Sequence, residues 1–201
     1  FLSLDIPHLS AYALTVEHQT ALQYFIKKGK VKSPEDDKAL ADYKLLIEFM
    51  KTNGFNHYEI SNFARSDYHA VHNTAYWQGK PYIGIGPSAH SYNGDQRRWN
   101  VAHNSKYIKA LNTGVVPYEQ EDLSVNDRLN EYLMTGLRTV WGVDLKMISH
   151  KFGEKYHRYL LAQLASRKDH EHFVVDNNHL KLTETGLFFA DGIIADLFYV
   201  D

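Results

Sequence analysis

One string of six residues combines side chains that could hold a metal-containing ring. It reads His-Asn-Thr-Ala-Tyr-Trp and runs from His72 to Trp77, with Asn73 and Tyr76 inside it. A neutral imidazole is an axial ligand of haem iron, and the rings of Tyr76 and Trp77 offer flat apolar surface to a porphyrin. His72 is therefore a candidate iron ligand, and Asn73, Tyr76 and Trp77 are candidate haem-binding residues. The alternative, from the residues alone, is a histidine packed and hydrogen-bonded beside two aromatic rings.

Two further strings have a weaker chemical signal. Tyr58 and Glu59 end a predicted strand, which is the usual position of active-site residues in parallel sheets. A Glu59 carboxylate satisfied by backbone or by an arginine is equally consistent with the sequence. Gly84 and Gly86 allow close backbone approach to a ligand, but the third glycine of a dinucleotide motif and the lysine of a phosphate loop are missing. The simpler interpretation of the glycines is a tight turn.

Composition excludes several classes of site. The chain has no cysteine, so its own residues cannot form a disulfide, a thiolate nucleophile or the thiolate ligands of zinc or an iron-sulfur cluster. A net charge of -2 gives no general attraction to nucleic acid or anionic lipid. No apolar run reaches the roughly 18 residues of a membrane span, and the first residues lack the features of a signal peptide. We therefore expect a cytoplasmic protein without a membrane span.

The elements in the first third alternate between strand and helix. An apolar run from Leu9 to Val16 predicts a buried strand, and residues 55–60 predict another. Between them, apolar spacing and terminal charges predict one helix over residues 19–28 and a second that begins after a Ser33 cap. Strand, helix and strand in succession are typical of a parallel sheet. Because the first strand has no encoded neighbour before it, we expect a fragment whose sheet partners lie upstream.

The remaining elements predict a second domain. Residues 82–87 predict a short strand, residues 88–100 a hairpin that reverses at Asn93 and Gly94, and residues 105–112 a helix. A polar connector over residues 115–123 separates the predicted domains 1–123 and 124–201. The second domain should contain three helices, the first capped by Ser124, then a hairpin and a final helix from Thr183. This order is that of a winged-helix-like module.

Nucleic-acid binding by such a module is a remote alternative. A winged helix can place its second helix on DNA, and Arg158, Arg167 and Lys168 offer some positive charge. The segment 124–201 nevertheless contains more Asp and Glu than Lys and Arg, so it lacks the basic surface that phosphate neutralisation requires. We therefore expect no nucleic-acid partner.

Four strings, in this order, resemble one family. Together they are similar to the oxygen-independent coproporphyrinogen III oxidase-like family of radical S-adenosylmethionine proteins, and shorter matches at residues 98–100, 182–186 and 197–198 extend the resemblance along the chain. The strings are HLSAYALTVE at residues 8–17, YEISNFA at 58–64, HN with YW at 72–77, and YIGIGPSAHS at 82–91.

The resemblance implies an α/β fold: the C-terminal portion of a partial TIM-type barrel, followed by a mostly helical, winged-helix-like domain. Members of the family hold a 4Fe-4S cluster with three cysteines and cleave S-adenosylmethionine. Since this chain has no cysteine, we expect cluster binding in an N-terminal half and no radical chemistry by the chain alone. The resemblance places Tyr12, Tyr58 and Glu59 on the S-adenosylmethionine side. It makes Gly84, Gly86 and His90 a structural turn near the site.

Two functions occur within the family. Oxidases decarboxylate coproporphyrinogen III to protoporphyrinogen IX, whereas a sister branch resembles haem chaperones, which bind haem and deliver it to acceptor proteins. The string from His72 to Trp77 is characteristic of the chaperone branch, in which the histidine serves haem binding. The resemblance therefore favours a haem chaperone-like protein with haem or porphyrin as its ligand and a haem-acceptor protein as its partner. The oxidase remains the alternative.

Overall fold

The structure, a computed structural model, describes residues 1–200. These residues form three small sheets and the helices around them. The chain is therefore mixed α/β, as expected. The elements of the first half are β1 His8–Ser10, α1 Ala21–Lys27, α2 Asp36–Thr52, β2 Asn56–Glu59, β3 Asn62–Ala64, α3 Val71–Trp77, β4 His90–Tyr92, β5 Gln96–Asn100 and α4 Asn104–Leu111. Those of the second half are β6 Tyr118–Asp122, α5 Val125–Leu137, β7 Val143–Asp144, α6 Leu145–Lys151, α7 Glu154–Ser166, β8 Phe173–Asp176, β9 His179–Leu182, α8 Glu184–Phe188 and α9 Ala190–Leu197.

The first sheet is antiparallel, in the order β1-β3-β2. The parallel sheet expected from the strand-helix-strand order is therefore wrong for these residues. Ile60 and Ser61 alone connect β2 to β3, and so short a connection brings the chain back beside itself, whereas a parallel pair needs a crossover of a dozen or more residues. The strand predicted from Leu9 to Val16 ends at Ser10, and Tyr12 beyond it is 79% exposed.

Helix α2 covers this sheet. Ile47 and Met50, one helical turn apart, are buried against Phe55 and Phe63. The helix begins at Asp36 and not directly after Ser33. Glu35 occupies the N-cap position, and its side chain forms no capping hydrogen bond. The helix ends at Thr52, and Asn53 occupies the C-cap position.

The second sheet contains the predicted hairpin and a strand that was not predicted. β4 and β5 are antiparallel, and the Asn93 side chain accepts hydrogen bonds from the backbone N–H groups of Asp95 and Gln96 at 3.0 and 2.7 Å. The expected connector over residues 115–123 contains β6, which pairs along its full length with β5. The strand predicted over residues 82–87 is reduced to one bridge between Tyr82 and Tyr92.

The last third follows its local sequence signals closely. Ser124 and Asp127 form a capping box at the start of α5, and Asp144 caps α6 by accepting from two backbone N–H groups. The β8–β9 hairpin reverses at Asn177 and Asn178, whose φ angles of 46° and 68° are those of a type I′ turn. The core of this region contains one stripe of α5 and the inner faces of α6, α7 and α9: Leu129, Leu133, Leu137, Ile148, Leu160, Leu164, Ile193, Ile194 and Leu197.

Among residues 1–200, no helix combines the length and the apolar character that crossing a membrane would require.

Candidate functional site

Helix α3 positions the His72 string, and the sequence did not predict this helix. The helix is seven residues long, and His72 and Tyr76 lie on the same face because they are four residues apart. Their rings meet edge to face with centroids 4.8 Å apart. His72 is exposed, and no hydrogen bond to its ring is found within residues 1–200. Its imidazole nitrogens are therefore accessible to a ligand.

A row of aromatic rings leads from His72 into the protein. Tyr76 meets Tyr82 edge to face at a centroid distance of 4.6 Å, and Tyr82 lies 5.9 Å from Tyr92 of β4. We call His72, Tyr76, Tyr82 and Tyr92 the aromatic ladder. Burial raises the pKa of Tyr92, so its phenol stays neutral at physiological pH. The ladder is thus a row of aromatic rings, the first three of which meet edge to face, and it begins at an accessible imidazole.

The inner end of the aromatic ladder forms one wall of a cavity of about 510 Å³. This cavity lies between the end of α3, the β4–β5 hairpin and helices α5 and α6. Its apolar and aromatic lining consists of Tyr76, Trp77, Tyr82, Tyr92, Tyr132, Met134, Trp141 and Met147. His72 and Asn73 lie outside this lining, so the structure brings Tyr76 and Trp77 of the predicted site into the cavity and leaves the other two beside it.

Charged groups cross the cavity and tie its walls together. Arg97 of β5 forms an ion pair with Glu131 of α5, and Arg128 of α5 forms one with Asp95 in the hairpin turn. Lys151, at the end of α6, also lines the cavity. The two arginine pairs join the hairpin to α5.

Trp77, the last residue of α3, is partly buried beside the C-terminal end of α5. The guanidinium of Arg138 lies 5.5 Å from its ring centroid, which is within the range of a cation–π contact. Its indole Nε1 is buried and has no hydrogen-bond acceptor among the residues that the structure describes. Asn73 is partly buried on the same helix.

Tyr58 is fully buried at the centre of a small polar cluster. Its hydroxyl lies 2.8 Å from His8 Nε2 and accepts a hydrogen bond from the Ala70 backbone N–H at 3.3 Å. Its ring stacks on His69 at 4.4 Å. Burial, and to a lesser degree the neighbouring His69, lower the pKa of His8. Tyr58 therefore connects β1, β2 and the start of α3, and so supports the helix that carries His72.

Glu59 and Tyr12, predicted to lie on the same side as Tyr58, differ sharply in accessibility. Glu59 is 4% exposed, and its carboxylate accepts hydrogen bonds from the Ser61 backbone at 3.1 Å and from the Asn62 side chain. Asn62 in turn accepts a hydrogen bond from the Ser10 hydroxyl at 2.6 Å. Of the three residues, only Tyr12 is open to a ligand.

The glycine segment packs against β4. A Cβ atom on Gly84 would lie 2.1 Å from the backbone oxygen of His90, so this approach is possible only without a side chain. The Asn100 side chain donates to the carbonyl oxygens of Gly84 and Gly86 at 3.3 and 2.9 Å, and Gly84 N–H donates to Ser91 Oγ at 3.0 Å. These bonds hold a turn. The His90 side chain is exposed, and its ring lies 6.1 Å from that of Trp99.

Sequence reasoning missed the cavity residues outside α3. Tyr82, Tyr92, Trp141 and Lys151 come from four separate segments, and no spacing rule relates them. One signal could have been found: Arg128, Glu131 and Thr135 recur at helical spacing on α5 beside its apolar stripe, and all three line the cavity.

Comparison with known proteins gives a consistent set of relatives. Residues 123–189 match the family model of the HemN C-terminal domain. The chain is 34% identical to the haem chaperone HemW of Bacillus subtilis (strain 168) over 153 residues, covering 76% of this chain and 40% of that protein. It is 32% identical to the haem chaperone HemW of Mycobacterium tuberculosis over 193 residues, covering 96% of this chain and 47% of that protein.

A solved structure shares the fold. It is the coproporphyrinogen III oxidase HemN from Escherichia coli, described as a radical SAM enzyme, with a TM-score of 0.70 over 98% of this chain and 49% of that chain. The sequence identity is 19%, so the match concerns the fold alone. The chain spans about half the length of these relatives.

Proposed function

We propose that the chain is the haem-binding part of a haem chaperone-like protein. The chain belongs to the HemN-like family of radical S-adenosylmethionine proteins and carries its C-terminal domain. His72 serves as an axial ligand of haem iron, with Asn73, Tyr76 and Trp77 as the neighbouring haem-binding residues. One observation carries the proposal: the exposed imidazole of His72 stands at the outer end of the aromatic ladder. The relatives named haem chaperone HemW support the same assignment.

The residues present fit a haem group. An imidazole without a hydrogen bond inside the described chain keeps a nitrogen lone pair for iron, and the edge-to-face contact with Tyr76 restricts the orientation of the ring. The remaining ladder rings offer apolar faces to a macrocycle. When haem is bound, its iron supplies the coordination bond, and the side chains bind and orient the ring. Because His72 is exposed, an acceptor protein can reach the iron without unfolding of this chain. Delivery to such a haem-acceptor protein completes the proposed function.

Within the proposal, the residues of this chain perform no step of the family's radical chemistry. Members of the family use S-adenosylmethionine and a 4Fe-4S cluster, whose ligands are cysteine thiolates. The chain has no cysteine, so it provides no thiolate ligand to a cluster. Within the proposal, Tyr12 is the accessible residue on the S-adenosylmethionine side, while Tyr58 and Glu59 hold the first sheet and α3 in place.

We interpret residues 124–201 as a winged-helix-like domain and residues 1–123 as the end of a barrel with a porphyrin-side segment. The order α5, β7, α6, α7 and the β8–β9 hairpin, with β7 paired to β9, supports the first assignment. In this arrangement the cavity lies where the two parts meet, with Trp77 and Tyr82 from one part and Tyr132 and Met147 from the other.

Titration of the chain with haem tests the iron-ligand assignment. We expect the His72→Ala variant to lose the Soret shift that accompanies axial ligation and to bind haem at least about tenfold more weakly, since one coordination bond is removed. His150→Ala is the matched control, because His150 is also exposed and lies outside the cavity lining. An unchanged spectrum and affinity in His72→Ala would show that His72 is not the ligand.

A further inference from the structure

One cation in the cavity wall has no anionic partner in the part of the chain that the structure describes. Arg97 and Arg128 are each neutralised by a carboxylate. Lys151 is exposed at the end of α6, and within residues 1–200 no carboxylate oxygen lies within 4.0 Å of its Nζ atom. Its described contact is with the ring of Phe152, 5.4 Å away. The cavity wall thus carries an uncompensated positive charge next to an aromatic surface.

Aromatic rings line the same cavity. They include the rings of Trp77 and Trp141, together with those of Tyr76, Tyr82, Tyr92 and Tyr132. An ammonium group in an aromatic cavity favours a ligand that is flat, apolar over most of its surface and negatively charged at an edge.

We propose that Lys151 binds a carboxylate of a flat aromatic ligand held in the cavity and so selects ligands that carry acid groups. The inference rests on the proposed haem function and deepens it, because haem has an apolar macrocycle with propionate groups at one edge. The aromatic lining accepts the macrocycle, and Lys151 pairs with a propionate. Since this contact involves no iron, a metal-free porphyrin makes it as well.

The test compares an acid and its ester. Metal-free protoporphyrin IX and its dimethyl ester have the same macrocycle, but the ester has no negative charge. Binding of each to the 201-residue chain is followed by quenching of tryptophan fluorescence, because Trp77 and Trp141 line the cavity. We expect the free acid to bind about two- to fivefold more tightly than the ester, which is the upper part of the range for an exposed ion pair. The preference should shrink at high salt.

Two variants make the test specific to Lys151. Lys151→Met removes the charge and keeps most of the apolar stem, and Lys146→Met makes the same change at an exposed position on α6 outside the cavity lining. Only Lys151→Met should abolish the preference for the acid. The proposal is overturned if Lys151→Met keeps the preference, or if Lys146→Met loses it to the same extent. Since both side chains are exposed, thermal melting should confirm that both variants fold.

The same titration separates this proposal from the iron-ligand assignment. Metal-free protoporphyrin IX has no iron for His72 to ligate, so its preference over the ester depends on Lys151 whichever residue ligates the iron of haem. If haem binding proves independent of His72 while the Lys151 effect persists, the cavity proposal is supported and the iron ligand lies elsewhere. If the wild-type chain binds acid and ester equally, the role of Lys151 is refuted whatever His72 does.

Discussion

Replacing Gly84 by alanine tests the turn that carries the ladder residue Tyr82. A Cβ atom at this position would lie 2.1 Å from the oxygen, 2.7 Å from the carbon and 2.7 Å from the nitrogen of His90, all of them backbone atoms. Ordinary van der Waals contact begins at about 3.5 Å, about 1.4 Å beyond the distance to the oxygen, so β4 or the turn must move. Overpacking of this kind costs about 1–3 kcal/mol, and loss of the Gly84 hydrogen bonds to Ser91 and Asn100 adds about 1 kcal/mol.

The expected total of about 3 kcal/mol corresponds to a melting temperature lowered by about 6–12 °C in a chain of this size. Differential scanning calorimetry measures it. Gly192→Ala is the control, because Gly192 is exposed in α9 and an added Cβ there would meet nothing within 4 Å. This change should raise stability slightly through helix propensity. If Gly84→Ala melts within about 2 °C of the wild-type protein, the close approach to His90 does not exist and the reasoning fails.

Three further changes have distinct expected results. Leu133→Ala removes a side chain that is 1% exposed in the α5 core and should lower the free energy of unfolding in urea by about 2–5 kcal/mol; a loss below about 1 kcal/mol would argue against that packing. Ser124→Ala breaks the capping box with Asp127 and should cost about 1 kcal/mol in the same assay, and no loss would mean that the cap is not formed. The Arg167 hydrogen bonds hold the pKa of Asp169 at about 2, below about 3.9 in the unfolded chain, so this stabilisation is present above about pH 4 and disappears as pH falls towards 2. Asp169→Asn should therefore melt below the wild-type protein at pH 7 and approach it near pH 2.5, and a constant difference across this range would contradict the assignment.

Local signals predicted most of the second half of the chain correctly. The cap at Ser124 acts over three residues, so the residue types alone mark the start of this helix. The two asparagines at 177 and 178 tolerate positive φ and mark the hairpin turn in the same way. The ordered strings from residue 8 to residue 91 predicted the family, because such strings can be recognised without knowledge of their contacts. The comparisons confirmed the family.

Pairing between distant segments was not predicted. β6 was taken for a connector because the segment 115–123 is polar, and only its pairing with β5 makes it a strand. Strand propensity depends on the neighbours that a strand receives. The parallel sheet was wrong for a related reason, since the two-residue link from β2 to β3 sets their direction independently of the helices before them.

The sequence by itself determined the helices and hairpins that local hydrogen bonds define, the absence of thiolate chemistry, and the His72 string that names a candidate ligand. Only the tertiary structure decided what that string faces. The aromatic ladder, the cavity and the unpaired Lys151 arise where α3, the β4–β5 hairpin, α5 and α6 converge. Their side chains come from segments up to about 75 residues apart, and such contacts depend on how whole elements pack, which no residue spacing encodes.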